Sequence, residues 1–389
     1  MIKLMILISM IASFVIYASY IFPNWIDNLI LLIELFSIFL ILILYIKKRK
    51  YSPIIIVITL FEVLYLISSV INKNYTTLIN SLKTTMAIIS LSALTDMELK
   101  INAKKMITAL CVVMSIISIV CIITMLKYYP NGMYCDNLND CNYYFLGQDN
   151  GSFFDIFPSV IFVIILSLIK HNKISKFSFV YTLFIFYGFY YVNSVSSYII
   201  MLLLIIYMLT YKSKIWEKIL TPKNITLITT ILFVVVVVIG IANIPILSKF
   251  VTERLGKSVT LTGRTGLWSK GIEYIKKSPL YGYGFEDGIL LKQKFGISHL
   301  HNFILQILYN GGIISLITFL YMNYICLQKI RKYEKTYIGR TLIISLLFIY
   351  ILSMFDYYNY KIFIYVIYIF IFNVEYIINS SKKVKADEK

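Results

Sequence analysis

Long apolar runs alternate with short polar, lysine-rich breaks along almost the whole chain. The runs lie near 4–22, 28–46, 54–71, 76–94, 107–126, 155–170, 177–192, 197–211, 225–243, 303–326, 341–355 and 361–378. Each is close to the length a helix needs to cross an apolar slab of ~30 Å, so the pattern predicts about twelve membrane helices. The strands of a membrane barrel would be about ten residues long with strict alternation, which these runs lack. The fourth run is the least apolar, because it carries Lys83 and several Thr and Ser. The seventh and eighth are short enough to form one tilted hairpin.

The polar breaks orient the helices. Basic stretches at 47–50, 97–105, 170–176, 211–218 and 328–335 and the tail at 380–389 fall on alternate connections, which places them all on one side. Positive loops stay in the cytoplasm, so both ends are expected there. The opposite short loops, "PNWIDN", "NKN", "NSVS" and "DYYNY", carry few positive charges. The first run ends in Phe-Pro-Asn-Trp without a small-residue cleavage site and reads as a retained helix. The resulting layout is 1–243 for the first nine helices with a smaller outer loop at 127–154, 244–302 for one large outer loop, 303–378 for the last three helices, and 379–389 for a basic tail.

Composition agrees. The chain is 59% hydrophobic and 14% charged, with mean hydropathy +0.80, whereas soluble domains are about a quarter charged. The net charge of +18 raises the question of nucleic acid, but lysines clustered at helix ends answer to topology, and no nucleic-acid partner is expected. Cys135 and Cys141 share the outer loop 127–154, where a disulfide and two free thiols both stay open. Neither HExxH nor CxxC occurs, so no metal site is expected. Of the charges in apolar runs (Glu34, Glu62, Lys83, Asp155, Glu375), Glu62 lies well inside its span, while Asp155 is expected at the outer interface.

The large outer loop holds nine Lys and Arg, and topology does not explain them, since long loops cross the membrane regardless of charge. Within it, 265–277 has Leu267, Trp268, Gly271, Ile272 and Ile275 at helical spacing. An amphipathic helix lying on the membrane or the bundle is predicted, stopped by Ser278-Pro279. Gly282 and Gly284 would let backbone approach a ligand or turn sharply. Arg264 stands at the start of that helix, and His301 and Asn302 at the start of the tenth span. Helix N-termini favour anions, so with Arg254 and Lys257 these residues outline a basic outer pocket suited to a lipid diphosphate. A neutral His301 could take a proton from an attacking hydroxyl, or simply anchor the loop. His299, two positions earlier, would point elsewhere in an extended segment.

The combination "GRTGLWSKGIEYIKKSPLYGYGF" and, after a short gap, "HNFILQILYNGGIISLITFLY" resembles the signature of the O-antigen ligase and polymerase (Wzy) superfamily: GR-x₃-W, then PL-x-G-x-G, then HN-x₂-L before a glycine pair. The resemblance covers 262–321. It implies an all-α integral membrane protein with a GT-C-like fold, and a metal-independent glycosyltransferase that uses no cofactor. It implies a glycan on undecaprenyl diphosphate as donor, within the bacterial cytoplasmic membrane. A polymerase would pass the chain to the next lipid-linked repeat, for capsule, exopolysaccharide or O-antigen, whereas a ligase would pass it to another acceptor. A flippase and a chain-length regulator would be natural partners. By position Arg264 corresponds to the arginine that contacts the diphosphate and His301 to the functional histidine; Asn302, Arg254, Lys257, Trp268, Gly282 and Gly284 would bind substrate. One departure is "NSVSSYII", where relatives carry Ser-Arg and this chain has Ser196-Ser197. A lipid-linked oligosaccharide flippase is the alternative from another class, but no internal repeat supports it.

Overall fold

The computed structural model describes residues 52–136, 141–240, 264–356 and 361–387, with scattered helical positions between 25 and 43. The first expected span, and Arg254 and Lys257, lie outside the described residues. The helices are α1 (Pro53–Ile71), α2 (Tyr75–Tyr128), α3 (Asp149–His171), α4 (Lys176–Tyr191), α5 (Val195–Thr210), α6 (Ile215–Ile219) and α7 (Pro222–Phe233), which continues as a π-helical turn to Gly240. After the outer loop come α8 (Arg264–Lys277), α9 (Gly288–Phe295), α10 (Phe303–Arg331), α11 (Tyr337–Ser353), α12 (Ile362–Phe372) and α13 (Val374–Asp387).

Helix starts follow the polar residue placed before each apolar run. The side chains of Ser175, Thr221, Asp287, Asn302 and Thr336 each accept a hydrogen bond from a first-turn amide. Asn172 in the left-handed conformation closes α3.

Among the described residues, α1, α2, α3 and α10 are long and apolar enough to cross a membrane, and α12 with α13, bent by 66°, makes a fifth if taken as one span. Helices α5 and α11 are apolar but shorter. This is a multi-pass helical membrane protein; the count of twelve is not set by these helices. The predicted cytoplasmic loop at 97–105 is a correction. It is helical, and α2 runs through it with one non-helical residue, Asn102 (φ −152°, ψ 82°). Glu98, Leu99, Lys100 and Ala103 through Met106 are good helix formers, so the chain turns by a break at one asparagine rather than by a loop.

Helix α3 is almost wholly buried, packed on α2 and reached by α11 and α12. Three buried acidic side chains at the helix junctions are paired. Glu62 accepts from the Tyr365 hydroxyl (2.6 Å). Asp96 accepts from Ser52 (2.9 Å), Asn373 (2.8 Å) and Lys100 (2.6 Å). Asp155 was expected at the interface but is fully buried and paired with Lys361 at 2.6 Å. The smaller outer loop forms a three-stranded antiparallel sheet, β1 (Tyr134–Asp136), β2 (Cys141–Tyr144) and β3 (Gly147–Gln148). Cys135 opposes Asn142 and Cys141 opposes Asp136 in backbone register; whether the two thiols pair falls on side chains outside the described residues.

The segment after α8 is clamped between two helices. Helix α10 breaks at Gly312 (φ 65°, ψ −165°). There the Ile313 amide, which would bond to Tyr309 in an unbroken helix, bonds to Pro279 O (2.8 Å). The carbonyls of Tyr309 and Asn310 accept instead from the amides of Tyr283 and Gly284, both at 2.7 Å. On the other side Ser68, Asn72 and Asn74, at the α1–α2 junction, bond to the carbonyls of Tyr281, Gly282 and Tyr283.

Candidate functional site

The expected amphipathic helix is α8. It lies on the bundle, with Leu267 and Trp268 buried and Gly271 so close to Leu300 that a Cβ there would meet its Cδ2 at 2.9 Å. Leu300 is held on three sides: by that packing, by its amide donating to Gln306 Oε1 (2.9 Å), and by its carbonyl accepting from Trp268 Nε1 (2.9 Å). Asn302 is completely buried, accepts from Leu305 N (3.0 Å) and donates to Met354 O (3.2 Å). His301 is thus caught between two fixed neighbours and takes φ +48°, a left-handed conformation that costs a non-glycine residue on the order of 1 kcal/mol or more.

That backbone conformation overturns the expectation that His299 points away. The segment is not extended at His301, and the two imidazole rings meet with centroids 3.9 Å apart and planes at 62°. Both face Asp356, which follows α11: its Oδ1 is 3.7 Å from His301 Nδ1 and 4.0 Å from His299 Nδ1. These are charge-pair distances rather than hydrogen bonds. His301 Nδ1 is buried without a hydrogen-bond partner among the described residues. The His301 amide donates to His299 Nδ1 at 3.2 Å, which leaves His299 its other ring nitrogen as the protonated one.

Arg264, the first residue of α8, is half-buried within the electrostatic reach of Asp356 and His299. Burial lowers its pKa while Asp356 raises it, and a guanidinium stays charged through such a shift. His299 is pushed down to about 3, first by burial and then by His301, with Arg264 adding to the fall and Asp356 opposing it. Its ring is neutral at any physiological pH. His299, His301 and Asp356 each offer one ligand atom, all within 4.8 Å of one another, so the site could hold an ion that motif spacing did not reveal.

Four of the residues expected to bind substrate are engaged by the protein itself. Trp268 is buried, with its N–H spent on Leu300, and Asn302 is spent on capping α10. A Cβ on Gly282 would meet Tyr309 O at 2.4 Å, and one on Gly284 would meet Ser69 Cα at 2.4 Å. Protein fills the space where a ligand was expected. Asp356 is the functional candidate that sequence reasoning passed over; the signal was an acidic residue in the short outer loop "DYYNY", read there only for its lack of positive charge.

A second polar cluster sits nearby. Lys294 donates to both oxygens of Glu286 (2.6 and 2.8 Å) and to the Tyr309 hydroxyl (3.2 Å), which itself donates to Glu286 (2.5 Å). The ammonium lies over the rings of Tyr283 (4.9 Å), Tyr274 (5.3 Å) and Tyr309 (5.9 Å).

Fold and site together define a multi-pass helical membrane protein with a compact polar centre of two imidazoles, a carboxylate and a guanidinium just before α10. Residues 180–320, from α4 into α10, match the family model described as O-Antigen ligase (Wzy_C). The resemblance to the O-antigen ligase and polymerase superfamily is borne out over this stretch. The chain is also 40% identical over 75 residues to the exopolysaccharide production protein ExoQ of Rhizobium meliloti (strain 1021); that match covers 16% of this chain and 17% of ExoQ. No solved structure matches.

Proposed function

We propose that this chain is a membrane glycosyltransferase of polysaccharide assembly, working at the outer face of the bacterial cytoplasmic membrane on a GT-C-like bundle of about twelve helices with both ends inside. The donor is a glycan on undecaprenyl diphosphate, and the acceptor is a hydroxyl of the next lipid-linked repeat unit. The observation that carries this reading is His301: its unpartnered, buried Nδ1 faces Asp356, with Arg264 close by, inside the segment that matches the O-antigen ligase model.

In the proposed step the acceptor oxygen attacks the anomeric carbon, and the bond from that carbon to the diphosphate oxygen breaks. His301 takes the hydroxyl proton, and Asp356 stabilises the imidazolium that forms. Arg264 meets the charge on the departing lipid diphosphate. Arg254 and Lys257 are retained as further phosphate contacts. Arginine charge does the work in this scheme, so the step itself uses no metal ion. A flippase and a chain-length regulator remain proposed partners.

The family description, O-Antigen ligase, favours a second reading in which the acceptor is a different molecule. The polar centre lies in the outer layer and the midplane charge Glu62 is bonded to Tyr365, which favours transfer over transport. Glycan profiles of His301→Ala and Arg264→Ala strains test the reading. Loss of long chains, with single repeats still exported, is expected for a polymerase. Intact long polymer lacking attachment to its acceptor would point to a ligase, and unchanged glycans in a full deletion would refute both.

A further inference from the structure

The proposed step uses His301 and Asp356 but gives His299 nothing to do, although the fold brings its ring against His301 at 3.9 Å between centroids. Two imidazoles and a carboxylate with ligand atoms all within 4.8 Å are the donor set of a three-ligand site with a fourth position open. A tetrahedral ion with bonds near 2.0–2.1 Å needs its ligand atoms roughly 3.4 Å apart. The observed 3.7 Å from Asp356 Oδ1 to His301 Nδ1 and 4.0 Å to His299 Nδ1 lie a little above that spacing. His301 Nδ1 is buried with no hydrogen-bond partner, so an ion would supply the partner it lacks. An ion at His299 Nδ1 would replace the 3.2 Å bond from the His301 amide, a long contact that costs little to release.

We propose that His299, His301 and Asp356 form an inhibitory site for a borderline divalent ion of the Zn²⁺ class, which closes the transfer reaction by occupying the lone pair His301 needs as a base. Arg264 lies within electrostatic reach of Asp356 and His299 and works against any cation held by charge alone. Mg²⁺ and Ca²⁺ want six or more oxygen ligands and are excluded by this donor set. Zn²⁺, Co²⁺, Ni²⁺ and Cu²⁺ bind imidazole strongly enough to tolerate the guanidinium. The inhibitory half of the proposal rests on the reading of His301 as the base; the binding half does not.

The experiment titrates Co²⁺ into the purified full-length protein in detergent and follows its visible absorption. One equivalent is expected, displaced by Zn²⁺ and unaffected by a large excess of Mg²⁺ or Ca²⁺. His299→Gln and Asp356→Asn should each weaken Co²⁺ binding by at least the roughly 10–100-fold that even outer-shell losses cost metal sites. His171→Ala, on the cytoplasmic side, should leave it unchanged. A Zn²⁺-dependent rise in melting temperature, present in the wild type and absent in His299→Gln, confirms binding without reference to activity. In membranes Zn²⁺ should stop glycan transfer and a chelator should restore it. No Co²⁺ binding, or equal binding by the His299→Gln/Asp356→Asn double variant, would overturn the site. Transfer unchanged or raised at saturating Zn²⁺ would overturn its inhibitory role. If Co²⁺ binds as expected and His301→Ala still makes long chains, the base assignment fails and the inhibitory role with it, while the binding site stands.

Discussion

Two polar clusters lie near the start of α10, and they differ in how fully their groups are paired. In the Glu286–Lys294–Tyr309 cluster every charge is answered: both carboxylate oxygens accept from the ammonium, the phenol accepts from the ammonium and donates to one of those oxygens, and three rings cover the cation. In the His299–His301–Asp356–Arg264 cluster Asp356 Oδ1 stays 3.7 and 4.0 Å from the two Nδ1 atoms, His301 Nδ1 has no hydrogen-bond partner among the described residues, and one backbone angle is held in the left-handed region. A saturated network rigidifies a fold. A buried polar atom without a partner beside a residue held in a strained conformation is a common mark of a functional site. On the proposed function, this contrast separates scaffold from chemistry among residues that composition would group together.

The sharpest way to break this contrast is at His301. His301→Ala should lower transfer by roughly 10²–10⁴-fold, the usual share of a general base, with little change in melting temperature; a folded, fully active variant would erase the distinction. Next comes Arg264→Lys, which keeps the charge but loses the fork. A fall in turnover of roughly 10–100-fold is expected from one charge-assisted bond, read by kinetics on lipid-linked substrate. Lys294→Met should do the opposite: lower stability by about 1.5–3 kcal/mol, toward the low end because the lysine is 24% exposed, while activity per folded molecule holds. Calorimetry with an active-site-independent count of folded protein would check it.

The smallest effect is a pH slope. His299 titrates at 6.5 when unfolded and at about 3 in the fold, so between these values the unfolded chain binds a proton that the folded chain refuses. Its stabilisation is therefore fully present above 6.5 and declines as pH falls, by up to about 1.4 kcal/mol per unit. His299→Gln should flatten that part of the melting-temperature curve, and an unaltered slope would show that the ring is not held neutral.

Much of this was legible in the sequence, for identifiable reasons. Apolar runs and their polar starts place α1, α3, α4, α5, α10 and α11 within a few residues of their expected bounds, because burial length and capping are local properties. The break at Asn102 was misread as a loop because charge marks the membrane edge but not whether the backbone stays helical there. At the site, Arg264 and His301 were readable from residue type and position. For Trp268, Asn302, Gly282 and Gly284 the sequence shows what each residue can do, not which protein neighbour it meets. Asp356 was invisible as a partner because more than fifty residues and the whole of α10 and α11 separate it from His301.

The exchange of hydrogen bonds at Gly312 bears on modularity. The Pro279 carbonyl replaces one that Ile313 gives up, and the Tyr283 and Gly284 amides take over carbonyls that α10 leaves open. The loop and the helix therefore complete each other's backbone, and neither is finished alone. Cut out as a soluble cassette, 264–302 would lose the partners that shape it. Grafted into a relative, it would carry the histidine without its geometry unless the glycine break and the polar α1–α2 corner travelled too. If the proposed transfer is to be re-engineered for a new acceptor or donor, the loop has to be exchanged together with its helical frame.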